Sequence, residues 1–239
     1  MDTPKLVIGS LLLASSLIQV GCRCGSQLDK EPLADWTLEF RETVSTNYEL
    51  LNWGGKTFLA KKMVRELSIE KRSQLREACI SDLFNPNQHP HYRVISAYTL
   101  DAFDDRSITS RLIHLLMTEQ NSGVRDALST ALAQYRTEDV AAELIAASEK
   151  YLRNDHYKAD VAQALRNKPF DEVKAWLTRT GMTVDDARGS CLQVLMSFND
   201  PSLISDLWRI VMAERNPKER QYYESDLKGF VKSFRSKSG

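Results

Sequence analysis

Two neighbouring stretches decide the fold: HYRVISAYTLDAFDDRSITSRLIHLL at 91–116 and GVRDALSTALAQYRTEDVAAELIAAS at 123–148. They carry the same apolar pattern when one is shifted by about 32 residues onto the other. Further steps of about 33 and about 30 residues continue it. Self-similarity at a period of about 20–50 residues is typical of stacked repeats. The matching positions are Arg93 and Arg125, Leu100 and Leu132, Phe103 and Tyr135, Ile108 and Val140, then Leu165, Val173 and Leu177, then Leu195, Phe198, Leu203 and Leu207.

Each repeat divides into two predicted helices. In 123–148, apolar residues recur at helical spacing from Val124 to Tyr135, and a second apolar series begins at Val140 after a polar break. Two helix starts carry capping signals. The stretch 183–186, Thr-Val-Asp-Asp, resembles a capping box. Asp200 precedes Pro201, which suits a cap residue followed by proline at the first helical position.

These repeats resemble HEAT and HEAT-like repeats of the armadillo type. The features that carry the resemblance are an early arginine in the first helix, small and leucine positions after it, and an acidic break before the second helix: Arg93 and Arg125, Ala97 with Leu100, Ala131 with Leu132, Asp104-Asp105 and Glu138-Asp139. The third repeat departs at Tyr157-Lys158 and at Lys168-Pro169, where the aromatic is missing. The resemblance implies an all-α protein, an alpha-alpha superhelix or HEAT-like solenoid of about five to six helical pairs.

The chain divides into five predicted segments. Within the N-terminal cap, we expect a helix from Trp36 to Trp53 ended by Gly54-Gly55, two helices over Lys56–Leu67 and Ile69–Phe84, and a loop over Asn85–Pro90. A capping helix is expected at Pro217–Phe234. The segments are a signal peptide at 1–21, a flexible leader at 22–34, a helical cap at 35–90, HEAT-like repeats at 91–214 and a C-terminal capping helix with a basic tail at 215–239.

The N-terminal stretch predicts export. Its apolar run from Leu6 to Val20 is shorter than the about 20 residues of a membrane span and suits the core of a signal peptide. The end of the run, Ile18-Gln19-Val20-Gly21-Cys22, resembles a bacterial lipobox, although Gln19 departs from it. We therefore expect Cys22 to be lipidated. Arg23, where an aspartate would retain the protein at the inner membrane, implies an outer-membrane anchor facing the periplasm. The alternatives are a cleaved, soluble periplasmic or secreted protein, an uncleaved anchor, and a buried N-terminal helix.

Charge and cysteine content restrict the function classes. The chain has 32 basic and 32 acidic side chains. A nucleic-acid binder is expected to carry a basic excess, because neutralising phosphates supplies much of its affinity. Nucleic acid is therefore disfavoured as a partner. Cys79 and Cys191 lie on predicted helices several repeats apart, so we expect buried thiols and not a disulfide.

The sequence contains few signs of chemistry. His89 and His91 form the one close histidine pair, and two ligands do not make a zinc site. No phosphate-binding glycine loop, HExxH or GxSxG motif is present. We expect no catalytic residue, no cofactor and no metal.

The second helices instead predict a surface for another protein. We expect Leu112, Leu144, Leu177 and Leu207 to face the core. The residues two positions after each leucine then face outward, and so do the small residues four positions before each of these outward residues. The expected binding residues are His114, Trp176, Arg179, Trp208 and Arg209. The alternative is that the tryptophans pack and the arginines are merely solvated. These features predict a non-catalytic protein-binding scaffold. The alternatives are a periplasmic immunity protein against a secreted toxin, and an enzyme or ligand carrier whose site the sequence hides.

Overall fold

The computed structural model describes residues 53–103, 105–150 and 155–235, and within these ranges every regular element is helical. The all-α prediction is thus confirmed for the described residues. Two short 3₁₀ turns, Arg106–Ile108 and Pro201–Leu203, lead into the helices that begin at Thr109 and Ile204. The helices are α1 (Trp53–Glu66), α2 (Ile69–Phe84), α3 (Pro90–Asp101), α4 (Thr109–Thr118), α5 (Ser122–Leu132), α6 (Glu138–Lys150), α7 (Asp155–Ala164), α8 (Asp171–Thr183), α9 (Asp185–Ser197), α10 (Ile204–Ala213) and α11 (Pro217–Arg235).

The helices alternate between two series of contacts. In one series α1 packs on α3, α3 on α5, α5 on α7 and α7 on α9. In the other α4 packs on α6, α6 on α8 and α8 on α10, and α11 then packs on α10. The described residues all belong to one unit, Phe40–Gly239. From α3 to α10, each helix therefore packs on the helix two places along the chain, which agrees with the repeat spacing of the sequence.

Leucines at one repeated position of the second series form part of the core between the two series. Leu112, Leu144, Leu177 and Leu207 are at most 1% exposed. Their predicted inward orientation is confirmed. Burying one such side chain contributes about 1.5–3 kcal/mol relative to leaving it in water. The repeated leucine is therefore a principal reason why these helices present one fixed face to the core.

A repeated arginine joins each of five helices to the helix before it. It is the fourth residue of α2, α3, α5, α9 and α11. In every case its guanidinium donates to a backbone carbonyl at or just beyond the end of the preceding helix, a group that has no partner within that helix. The bonds are Arg72 to Leu67 at 3.0 Å, Arg93 to Leu83 at 3.1 Å, Arg125 to Gln120 at 2.9 Å, Arg188 to Gly181 at 3.0 Å and Arg220 to Glu214 at 2.8 Å.

Several predicted boundaries are confirmed and one is wrong. Helix α2 spans Ile69–Phe84 as predicted, and α11 covers the predicted C-terminal helix. Gly54 and Gly55 do not end a helix, because both are helical residues of α1. Glycine costs a helix about 1 kcal/mol relative to alanine. Packing further along the same helix, where Ala60 and Val64 are buried, outweighs that cost.

The two predicted capping signals have opposite outcomes. Asp200 caps its turn, since its carboxylate accepts the Ser202 backbone N–H at 2.9 Å and Pro201 follows it. The capping box at Thr183 is wrong. Thr183 is the last residue of α8, and its hydroxyl donates to the Arg179 carbonyl at 2.9 Å. Only Val184 separates α8 from α9, so no residue is available to cap α9 with a side chain.

Both cysteines on described helices are buried, as the sequence predicts. Burial raises the pKa of the Cys191 thiol to about 12. Because the thiolate is the reactive form, Cys191 is an inert packing residue at neutral pH. The predictions for residues 1–52, including the signal peptide, Cys22 and the leader, lie outside the described residues.

Candidate protein-binding surface on the second helices

The outward positions of α4, α6, α8 and α10 form a repeated set of exposed residues, here called the ridge. Each helix contributes a small residue and, four positions later, one further residue on the same side. All eight are exposed, which confirms the orientation predicted from helical spacing. The ridge consists of Ser110 and His114, Ala142 and Ala146, Ala175 and Arg179, and Ser205 and Arg209.

On α8 the ridge is charged and the neighbouring tryptophan is buried. The Arg179 guanidinium lies 2.8 Å from a Glu149 carboxylate oxygen of α6, and its side chain stays 64% exposed. The Trp176 indole N–H donates to that same oxygen at 3.1 Å. The tryptophan itself is only 2% exposed. Trp176 therefore packs between helices, as the alternative reading of the sequence held, and the binding role predicted for its ring is not supported.

On α10 apolar and charged side chains lie side by side. Trp208 is half-buried, and Arg209 is exposed with its guanidinium 3.1 Å from Asp206. Met212, one helical turn after Trp208, is 58% exposed. The sequence analysis missed Met212, although its spacing from Trp208 places both on one side of α10. The exposed methionine and the half-buried tryptophan form a small apolar patch on this side of α10.

His114 occupies the ridge on α4. Its side chain is exposed, and its backbone carbonyl accepts the Thr118 hydroxyl at 3.0 Å. The four predicted binding residues other than Trp176 thus lie on three helices of the same series. Two of them, Trp208 and Arg209, are adjacent on α10 and sit apart from His114 by the two intervening helices α6 and α8.

A cleft of about 680 Å³ lies where the first turns of α6 and α8 meet. Its lining includes four acidic residues, Phe170 and the ridge residue Ala142. The neighbouring Thr137 side chain and Val140 N–H favour the charged form of Asp139 and lower its pKa below the ordinary value. Acids in the first turn of a helix are stabilised by the helix dipole. The positions of these acids at two helix starts therefore account for their presence without a ligand. The four acids are Glu138, Asp139, Asp171 and Glu172.

The histidine pair of the sequence analysis has a local structural role. The His89 Nδ1 accepts the His91 backbone N–H at 3.2 Å at the start of α3. In the described ranges, no three histidine, cysteine or acidic side chains come close enough together to hold a metal ion. Nor does any described helix combine the length and the apolar composition that crossing a membrane requires.

Comparison of this chain with protein-family models, with curated proteins and with solved structures found no match.

Proposed function

We propose that this protein is a non-catalytic scaffold that binds another protein through the ridge, with its second helices forming the concave face of a HEAT-like superhelix. The observation that carries the proposal is the ridge itself. Four successive helices of one contact series present an exposed small residue and a second exposed residue at the same register. A floor of small side chains lets a partner backbone approach closely. Arginine, tryptophan and methionine at its α8 and α10 end supply contact types enriched in protein interfaces.

We further propose that the scaffold is exported and tethered to the cell envelope by a lipid on Cys22. The support is the sequence of the first 22 residues, an apolar run followed by Gly21-Cys22. A tethered protein with a repeat surface would hold its partner near the membrane. Inhibition of a secreted toxin in the periplasm is a special case, in which the partner would be a single protein bound tightly.

The binding proposal is tested by crosslinking a tagged full-length protein in native membranes and identifying what is captured. The test variant is Arg179→Glu/Arg209→Glu. Both arginines are at least 60% exposed, and exposed ion pairs contribute at most about 1 kcal/mol, so the fold should tolerate the change. The matched control is Lys218→Glu/Lys232→Glu, two exposed cations of α11 off the ridge.

The expected result is one protein captured by wild type and by the α11 control but lost from the ridge variant. Capture that is equal in all three samples would contradict the ridge as the binding surface. The anchor is tested separately with Cys22→Ala. Release of this variant from the membrane fraction, with capture of the same partner by the solubilised protein, would support the lipid anchor. Wild-type protein recovered from the cytoplasm with Met1 intact would contradict export.

A further inference from the structure

The third repeat contains a fully buried lysine. Lys168 follows α7 and is 0% exposed. The corresponding position in the other repeats is aromatic: Phe103, Tyr135 and Phe198. A lysine in place of a packed ring is costly unless its amine is fully hydrogen-bonded or neutral.

The hydrogen bonds of Lys168 match those of a neutral amine. Its Nζ donates to the Leu132 carbonyl at 2.8 Å and to the Ala164 carbonyl at 2.7 Å. These carbonyls end α5 and α7, so the amine joins two consecutive helices of the first series. A neutral amine has two N–H donors and both are used here, whereas an ammonium has three. No carboxylate of a described residue forms an ion pair with it.

The charges around the amine oppose its protonation. Helix α7 packs on α4, α5, α6 and α9. Among the described residues of these elements and their connections, Arg136 in the α5–α6 connection is the charged group that acts on the amine, and it is a cation. Burial, and then the Arg136 charge, lower the pKa of Lys168 to about 7. No carboxylate of a described residue offsets these two effects.

We propose that Lys168 is an acid-sensitive switch at the centre of the repeats: neutral, its amine ties the end of α7 to the end of α5, and protonation loosens that junction. The ammonium would place an unpaired charge and an unused donor in the core. It leaves by moving Nζ toward solvent, which breaks the bonds to Leu132 and Ala164. The stacking of the third repeat on the second then weakens, and with it the register of the ridge residues on α6 and α8.

The sign of the pH dependence follows from the two states. In the folded protein the Lys168 pKa is about 7, and in the unfolded chain it is the ordinary 10.5. Between these values the unfolded chain binds the extra proton, so the stability of the fold rises with pH across that window. Below about pH 6 both states are protonated, and Lys168 adds no further pH dependence.

The first experiment measures the urea midpoint of the full chain from pH 6 to 10 for wild type, Lys168→Met and Lys174→Met. Lys174 is the matched control because its amine is paired with Asp200 at 2.8 Å and its pKa is raised. Relative to Lys168→Met, the unfolding equilibrium constant of wild type should fall about tenfold per pH unit between pH 7 and 10. Wild type and Lys174→Met should run parallel below pH 10. Parallel curves for wild type and Lys168→Met would overturn the proposal.

A second measurement uses wild type alone, so it stands even if Lys168→Met does not fold. Lysine labelled with ¹³C at Cε reports the protonation of each amine by NMR. One lysine signal should titrate near pH 7, and it should be missing from Lys168→Met where that variant folds. Titration of every lysine signal above about pH 9 would overturn the switch. Hydrogen exchange of 124–132 and 157–165 tests the opening. After correction for intrinsic rates, protection there should fall between pH 8 and 6 in wild type.

Discussion

The first and last repeats differ from the third repeat in how charge is placed in their cores. In the first, Arg93 forms a buried ion pair with Glu119, and in the last, Arg188 pairs with Glu214 at 2.7 Å. The partners are 26 residues apart in both cases. The third repeat has Lys158 at the position of these arginines, and Lys158 forms no ion pair with a described residue. Its buried cation, Lys168, faces backbone carbonyls alone.

Each buried glutamate links three elements. Glu214 follows α10, pairs with Arg188 of α9 and accepts the Asn216 backbone N–H at 2.8 Å just before α11. Glu119 does the same for Arg93 and Asn121. Burial opposes the charge of Glu214, but the Asn216 N–H and Arg188 hold its pKa below the ordinary value. The third repeat has no such glutamate, and its α7 is joined to α5 instead by the part-buried pair of Arg125 and Asp160 at 2.6 Å. The buried glutamate is therefore not required for stacking; it fixes the geometry where it occurs.

The largest expected effect comes from Arg188→Met. It leaves the Glu214 carboxylate buried without its cation, and breaking one partner of a buried pair costs about 3–5 kcal/mol. The matched change in the third repeat, Lys158→Met, should alter the free energy of unfolding by no more than about 0.5 kcal/mol. Urea unfolding followed by circular dichroism measures both. Equal losses of unfolding free energy in the two variants would mean that the two repeats do not differ in how much this position stabilises the fold.

The double variant Arg188→Met/Glu214→Met tests whether the loss of stability in Arg188→Met comes from the unpaired, buried glutamate. Because no buried charge is left unpaired (Asp185, the other partner of Arg188, is exposed), it should be more stable than Arg188→Met alone, although the glutamate also accepts the Asn216 N–H. A double variant as unstable as the sum of both single changes would mean that the two side chains act independently.

A smaller effect is expected at Gly181, whose carbonyl accepts the Arg188 guanidinium. A Cβ added there would lie 3.0 Å from Ile210 Cγ2 and 3.1 Å from Cys191 Cβ. Both atoms belong to packed core residues, so Gly181→Ala should destabilise the fold by about 1–3 kcal/mol. Gly229→Ala on α11 is the control, since nothing lies within 4 Å of its Cβ, and it should stabilise by up to about 1 kcal/mol. The thermal unfolding midpoints of both variants measure how tightly the last repeat is packed. An unchanged midpoint for Gly181→Ala would mean that Ile210 and Cys191 can move to make room for the added methyl group.

The parts of the fold that follow from helical periodicity were predictable from the sequence. The inward side of Leu177 and the outward side of Arg179 depend only on their spacing within α8. The cap at Asp200 was also predictable, because a cap residue and a proline act over a few residues of chain. The capping box at Thr183 matched the motif equally well and was wrong, because whether a helix starts there depends on where α8 ends.

The parts that depend on contacts between repeats were not predictable. Trp176 is buried between helices, and its N–H donates to Glu149 of the preceding repeat. Glu119 and Glu214 pair with arginines 26 residues earlier on another helix, and local spacing does not show that contact. The arginine at the fourth helical position did leave a signal. From Arg93 onward it recurs with the repeat period, and Arg188 and Arg220 could have been added to Arg93 and Arg125 on that ground.

The smallest expected effect concerns a cap that the first and last repeats share. Asp105 and Asp200 each accept the backbone N–H two residues on, and each binds a cation two helices back in the chain, Arg76 on α2 and Lys174 on α8. The Lys174 and Ser202 hydrogen bonds lower the pKa of Asp200 to about 2. The unfolded value is 3.8, so the stability due to this carboxylate is present above about pH 4 and is lost as the pH falls toward 2.

Asp200→Asn should therefore flatten the acid limb of the stability profile, since the amide oxygen still caps Ser202 but does not titrate. The measurement is the thermal midpoint of wild type and variant between pH 2.5 and 6, taken as a difference because other carboxylates titrate in the same range. The difference should shrink as the pH falls below about 4. Asp105→Asn should behave alike, since the pKa of Asp105 is also lowered: burial opposes its charge, but the Ser107 and Arg76 hydrogen bonds outweigh it. If only one of the two caps titrates in this way, the first and last repeats are not equivalent at this cap. The buried ion pairs are then the feature that distinguishes both of them from the third repeat.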